Sequence, residues 1–157
     1  MSEKFYIFLD IDGVLNNTNY FYKCFKKHKV KGIMSMNCFP FDPDCLNNLM
    51  ILRQKLNNNG YKVKIILSST WRMNNVDTAI VNSRLAEYGM RIEDKTIFNG
   101  DRTKEILDYV EKHFCINYLV LDDDKCNIHT NHFIHTNERT GFDNKKLQEA
   151  LDKVGIK

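Results

Sequence analysis

Three apolar runs in this chain stop abruptly on small polar or acidic side chains. Lys4–Leu9 (KFYIFL) ends at Asp10-Ile11-Asp12-Gly13, Val63–Leu67 (VKIIL) at Ser68-Ser69-Thr70, and Tyr118–Leu121 at Asp122-Asp123-Asp124. Runs this short, apolar and aromatic or β-branched, read as strands of a sheet buried on both faces. Strands that alternate with helical stretches argue for a parallel α/β sheet. In such sheets the ligand crevice lies outside the carboxyl ends of the strands. Three polar clusters at three strand ends are therefore expected to converge on one site.

The stretches between the strands carry helix punctuation. Asp42 suits an N-cap and Pro43 the first helical position; Leu46, Leu49, Leu52 and Leu56 make an apolar stripe, and Asn57–Gly60 closes the helix. A second helix is expected to follow Ser68-Ser69-Thr70 and run to about Tyr88, before Gly89. Ile92–Phe98 reads as a short strand. Thr103–His113 reads as a helix with Ile106, Leu107 and Val110 facing inward. His132–Thr136 is a fourth short run, and a last helix spans about Asp143 to Val154. Residues 14–41 show no clear period and are expected to form loops with short elements. The predicted fold is an α/β, Rossmann-like three-layer sandwich, with a central mostly parallel sheet and a small flap or cap insertion after the first strand. A chain of 157 residues fits one domain, 1–157, and buries enough surface for a stable core.

Composition narrows the class. With 43% hydrophobic and 27% charged residues the chain is neither disordered nor collagenous. A membrane span needs about 18 consecutive apolar residues, and no run approaches that length. The first apolar stretch stops at Asp10, too soon for a signal peptide, so the expected location is cytoplasmic and no membrane partner is expected. Five cysteines with no CxxC pair read as reduced thiols. The net charge of +3 says little, but its distribution says more. Between Gly13 and Phe41 there is no acidic residue, while Lys23, Lys26, Lys27, Lys29 and Lys31 are all basic.

Carboxylates crowded at one sheet edge repel one another unless a cation neutralises them. Hard oxygen donors of this kind favour Mg²⁺, which also takes phosphate oxygens from a substrate. One carboxylate of an Asp-x-Asp pair can act as a nucleophile and form an aspartyl-phosphate, with the other serving as general acid and then base. Ser68 or Ser69, where a strand opens into a helix, offers a hydroxyl and backbone N–H groups to phosphoryl oxygens. Arg102, at the next helix start, can neutralise charge on the phosphoryl group. Trp71 reads as a packing residue. Arg72 reads equally as a substrate ligand or as an ion-pair partner of the acidic cluster. His129, His132 and His135 recur every three residues, but on a strand that spacing alternates faces, so they read as solvated edge-strand side chains.

The motifs FLDIDGVL (8–15), IILSSTWR (65–72), DRTKEI (101–106) and VLDDD (120–124) stand in this order over nearly the whole chain. The arrangement resembles the haloacid dehalogenase (HAD) superfamily of phosphatases. The pairing of IDGVLN and SSTWR with a later R-x-x-E-I resembles its small capless branch found in RNA-repair-associated proteins. The resemblance implies that Asp10 is the nucleophile and a magnesium ligand. It makes Asp12 the acid/base, with its main-chain carbonyl on the metal. Ser68 would bind the phosphoryl group, with Ser69 in that place on a register one residue later. Asp122 would ligate magnesium and Asp123 support it. Arg102 is the favoured basic residue and Lys104 the alternative. Val14 stands where phosphoprotein phosphatases of the superfamily have threonine, which argues against a protein substrate.

The expected activity is a Mg²⁺-dependent phosphoric monoester hydrolase working through an aspartyl-phosphate on a nucleotide or a nucleic-acid terminal phosphate. The alternatives are a small-metabolite phosphatase and a catalytically idle module that binds RNA or protein. The segment 14–41 decides between them. Its five lysines, with Tyr20, Phe21, Tyr22, Phe25, Phe39 and Phe41, read either as a packed flap with a solvated basic face or as an RNA or DNA track with aromatics under the bases.

Overall fold

The computed structural model describes residues 2–28 and 40–157. Five strands form one sheet: β1 (Glu3–Leu9), β2 (Tyr61–Leu67), β3 (Asp94–Lys95), β4 (Asn117–Asp122) and β5 (Phe133–His135), in the spatial order β3-β2-β1-β4-β5. Every pairing is parallel. The chain winds outward from β1 to β3, then crosses back to β4 on the other side of β1. The switch point, where an α/β sheet opens its ligand crevice, therefore lies between the carboxyl ends of β1 and β4.

The pleat of β1 divides the core. Phe5, Ile7 and Leu9 point to one face, where they join side chains from α2 (Pro43–Asn58), α3 (Asn75–Ala86) and α5 (Asn144–Lys153). Tyr6 and Phe8 point to the other, where α4 (Arg102–Lys112) supplies Ile106, Tyr109 and Val110. This is the three-layer α/β sandwich expected from the alternating strands and helices. Helix α2 is punctuated as the sequence predicts: the Asp42 carboxylate accepts from the Asp44 N–H, Pro43 opens the helix, and Leu46, Leu49, Leu52 and Leu56 are buried. No helix of the described residues is long and apolar enough to cross a membrane.

Several local expectations change. Thr18–His28 forms a helix, α1, where only short elements were expected. Asn17 explains it by accepting the Tyr20 N–H at 2.8 Å, a side-chain cap that needs no apolar period. The helix predicted after Ser69 is interrupted. Thr70–Met73 makes one 3₁₀ turn, and α3 starts afresh with Asn74 as its cap. The strand predicted over Ile92–Phe98 shrinks to two residues, Asp94–Lys95. On α4, Leu107 is 40% exposed and does not face inward. The inner stripe runs through Ile106, Tyr109 and Val110 at helical spacing, which turns Leu107 away. Only His135 lies on β5; His129 caps a 3₁₀ turn and His132 is its last residue, so strand alternation does not govern them. His132 stacks on Tyr118 at 4.0 Å and bonds its carbonyl.

The stripe on α4 gives a direct check. Ile106→Ala should cost about 2–5 kcal/mol, because it opens a cavity in a close-packed face. Leu107→Ala should cost about 0.5 kcal/mol or less, as expected of a surface position. Urea unfolding of the two variants reads the difference.

Candidate active site

The residues after β1, β2 and β4 are drawn together by the sheet itself. The Asp10 N–H continues the β1–β4 ladder onto the Leu121 carbonyl at 3.0 Å, and the Ser68 N–H bonds the Leu9 carbonyl at 3.0 Å. Asp10 therefore sits between the serines that follow β2 on one side and Asp122 on the other. Asp10 is 5% exposed, Asp122 is fully buried and Asp123 half-buried. One carboxylate oxygen from each lies within 4.8 Å of the others.

One guanidinium faces this group. Asp101 caps α4 by accepting the Lys104 N–H, which makes Arg102 the first residue of the helix. From there its Nη1 donates to Asp122 Oδ2 at 2.6 Å and stands 3.6 Å from Asp10 Oδ1. Lys104, two residues into the same helix, is exposed. The choice between the two basic residues is thus geometric: Arg102 reaches the strand ends and Lys104 points to solvent.

The two serines separate as well. Ser69 Oγ accepts the Trp71 N–H at 3.3 Å and its hydroxyl bonds Asp10. Ser68 Oγ is fully buried and has no hydrogen-bond partner among the described residues. An orphaned hydroxyl at a strand end, one residue from the acidic group, is suited to a phosphoryl oxygen. Beneath the loop lies Arg72, only 3% exposed at its side chain. Its Nη1 donates to the carbonyls of Ser68 and Ser69 at 2.8 and 2.6 Å, and its Nη2 to Glu105. Glu105 in turn accepts the N–H groups of Asn99 and Gly100, at 2.9 and 3.1 Å, and lies 3.9 Å from Arg102 Nε. Arg72 is therefore paired with Glu105 and not with the strand-end aspartates. Sequence reasoning did not single out Glu105 as part of the site, although the R-x-x-E spacing puts Arg102 and Glu105 on one helix face.

Asp12 is placed differently from its neighbour. It is exposed, and its side chain stands outside the group formed by Asp10, Asp122 and Asp123. Asn16 Nδ2 donates to its Oδ1 at 2.8 Å and Trp71 Nε1 to its Oδ2 at 3.1 Å. Trp71, expected to be a packing residue, does pack edge-on against Phe41 at 5.5 Å. It also reaches the site, which the sequence alone did not signal.

The electrostatics follow from crowding. Burial pushes Asp10 up to about 6, against the pull of Arg102 and the Ile11 N–H, and the charge of Asp123 adds to the rise. Asp122 rises to about 7, through burial first and the charge of Asp10 second, with Arg102 opposing. Asp123 is raised as well, mainly by burial. One guanidinium does not compensate three carboxylates.

Of the basic segment, Lys29, Lys31 and Phe39 lie outside the described residues, as do the side chains of Lys26 and Lys27. On the described part of α1, Phe21 and Phe25 stack at 6.5 Å, and Tyr22 is 61% exposed. Lys23 borders a cleft of about 370 Å³ shared with Asp42, Asp44 and Asp143.

The buried pair under the loop should be a structural pillar. Glu105→Ala leaves the Arg72 guanidinium uncompensated and should cost about 3–5 kcal/mol in denaturant unfolding. Glu105→Gln keeps an acceptor for Asn99 and Gly100 and should cost less.

A family model described as the HAD domain in Swiss Army Knife RNA repair proteins matches residues 6–147, a span that takes in all four motifs. No curated protein and no solved structure matches the chain. With that match over most of its length, and with the motif residues gathered at the switch point of a parallel sheet, the chain belongs to the family of HAD domains in Swiss Army Knife RNA repair proteins.

Proposed function

We propose that this HAD-type hydrolase is a Mg²⁺-dependent phosphatase that works through an aspartyl-phosphate. The observation that carries the reading is the buried Asp10 with Arg102 and Asp122 beside it, next to the end of β2, where the buried Ser68 hydroxyl has no partner among the described residues. Three hard carboxylate oxygens within 4.8 Å of one another fit a divalent cation. Asp10, Asp122 and Asp123 would hold it, with the Asp12 carbonyl. When bound, Mg²⁺ neutralises charge on the phosphoryl oxygens and on the carboxylates around them.

The residues of the chain divide the work. Ser68 donates its free hydroxyl to one phosphoryl oxygen, and Arg102 supplies positive charge to another. An oxygen of Asp10 attacks phosphorus as the bond to the leaving group breaks, and Asp12 gives its proton to the departing oxygen. Asp12 then takes a proton from water, whose oxygen attacks the same phosphorus. Inorganic phosphate leaves and the Asp10 carboxylate is restored.

The substrate we favour is a phosphomonoester on a nucleotide or a nucleic-acid end. Supporting it are the RNA-repair association of the family and the exposed aromatics of α1, Tyr22 and Phe25. A panel of mononucleotides, phosphorylated oligonucleotides and sugar phosphates, assayed with and without Mg²⁺, tests it. Faster turnover of the sugar phosphates would favour a small-metabolite phosphatase instead.

Asp10→Asn should lower kcat at least about 100-fold, since an amide is a poor nucleophile. Its metal-free melting temperature should stay level or rise, because a repelling carboxylate has gone. More than a few per cent of wild-type kcat would move the nucleophile elsewhere.

The raised carboxylates also set a pH dependence. Their folded pKa values, about 6 for Asp10 and about 7 for Asp122, lie above those of the unfolded chain. Between pH 4 and 7 the folded protein therefore binds more protons than the unfolded one, and metal-free stability falls as pH rises through that range. Cation binding must displace those protons. The thermal shift caused by Mg²⁺ should thus be larger at pH 8 than at pH 5.5. An equal shift at both values would remove these carboxylates from the cation site.

A further inference from the structure

We propose that Trp71 and Asn16 are positioning residues that fix the Asp12 carboxylate for proton transfer. The inference rests on the phosphatase reading above, in which Asp12 is the acid and base. An exposed aspartate at a loop ordinarily turns freely about its side-chain bonds, and a proton carrier that turns freely is seldom aligned with the departing oxygen. Here both carboxylate oxygens are occupied: Asn16 Nδ2 sits 2.8 Å from Oδ1 and Trp71 Nε1 3.1 Å from Oδ2.

The two donors come from different strand ends and are themselves held. Asn16 is 2% exposed, and its Oδ1 accepts the Gly13 N–H at 3.0 Å, which ties it to the turn that follows Asp12. Trp71 is 7% exposed, edge-on to Phe41, with its main-chain N–H on Ser69 Oγ. Each donor is neutral, so neither adds charge beside Arg102. Neither an indole nor an amide gives up its proton at ordinary pH, so the proton that moves is that of Asp12. The arrangement keeps the carboxylate of Asp12 apart from Asp10, Asp122 and Asp123. It leaves those three for the cation and reserves the fourth for proton traffic.

A plainer account also exists. A buried indole seeks a partner for its N–H, and Asp12 would then merely satisfy Trp71. The two accounts differ in what Trp71→Phe does. That variant keeps an aromatic ring against Phe41 and removes only the donor. If Trp71 positions Asp12, kcat for phenyl phosphate should fall about 10-fold, a fraction of the whole general-acid contribution. The fall for p-nitrophenyl phosphate, whose leaving group needs little protonation, should be smaller. KM should hold for both, because Trp71 does not touch the substrate in this reading. Asn16→Asp keeps an acceptor for the Gly13 N–H but turns a donor into a repelling carboxylate, and should steepen the leaving-group dependence in the same way.

A readout independent of turnover is at hand, because Trp71 is the single tryptophan of the chain. Asp12→Asn should change its emission intensity or maximum in the folded protein, since the group on the indole N–H changes from carboxylate to amide. An unchanged spectrum overturns the inference whatever the protein hydrolyses. So does a Trp71→Phe variant whose rates on the two phosphates stay equal to wild type or fall by the same factor. An emission shift in Asp12→Asn together with a wild-type protein that hydrolyses no phosphomonoester overturns the phosphatase reading and, with it, the proton-transfer role, while the contact itself stands.

Discussion

The guanidinium of Arg102 stands against two buried carboxylates at the one place where the sheet reverses its winding. Taking Asp10 and Asp122 out of water is costly unless they are paired. The sheet nevertheless forces both to the same spot, because their backbones continue adjacent strands. Arg102 is the group that makes this tolerable, and much of the surrounding structure exists to put it there. Asp101 sets the first turn of α4, Ile106 seats the helix on the sheet, and Glu105 lies beside the Arg102 Nε. The compensation is deliberately incomplete in its effect: both aspartates remain harder to ionise than a solvated carboxylate. Stability is given up at the strand ends and recovered in the core.

The short turn Thr70–Met73 joins this charged centre to its supports. Trp71 extends to Asp12 while its neighbour Arg72 holds the carbonyls of Ser68 and Ser69 and pairs with Glu105. Consecutive residues thus serve opposite sides of the turn after β2. The Ser69 carbonyl also accepts the Arg72 main-chain N–H at 3.1 Å, so the turn and the guanidinium share it. The break at Asn74 then starts α3 afresh with a side-chain cap.

These features explain what the sequence could and could not convey. The convergence of Asp10, Ser68 and Asp122 was legible because strand ends in a parallel sheet lie side by side, whatever the loops do. The core stripe of α2 was legible because its cap, proline and leucines agree. Arg102 could be favoured over Lys104 once a helix start was placed between Asp101 and Thr103, and the cap decides it. The grip on Asp12 was not legible, since Trp71 lies 59 positions away and its spacing reads as packing alone. Helix α1 was hidden for another reason: its start is fixed by the Asn17 side chain, and large aromatics, Tyr22 and Phe25, stand on its exposed face, where a helix usually shows polar residues. The histidines misled because a 3₁₀ turn ends just where the strand was expected to begin.

Gly13 shows how tightly the first and last motifs are bound to each other. Its φ of +76° is reason enough for glycine in the turn after Asp12. The nearer constraint is the Asp123 side chain. A Cβ on Gly13 would meet Asp123 Oδ2 in hard overlap and stand 2.7 Å from its Cβ. Asp123 cannot yield cheaply, because its carboxylate belongs to the close group it forms with Asp10 and Asp122. The Gly13 N–H is spent on Asn16, and its carbonyl accepts the Thr136 hydroxyl at 2.7 Å, so the turn cannot swing away either. The glycine of Asp-x-Asp-Gly and the second aspartate of Asp-Asp-Asp are therefore one steric condition written 110 residues apart. Only a residue without a side chain lets the acid arm of the first motif and the carboxylates of the last occupy the same crevice.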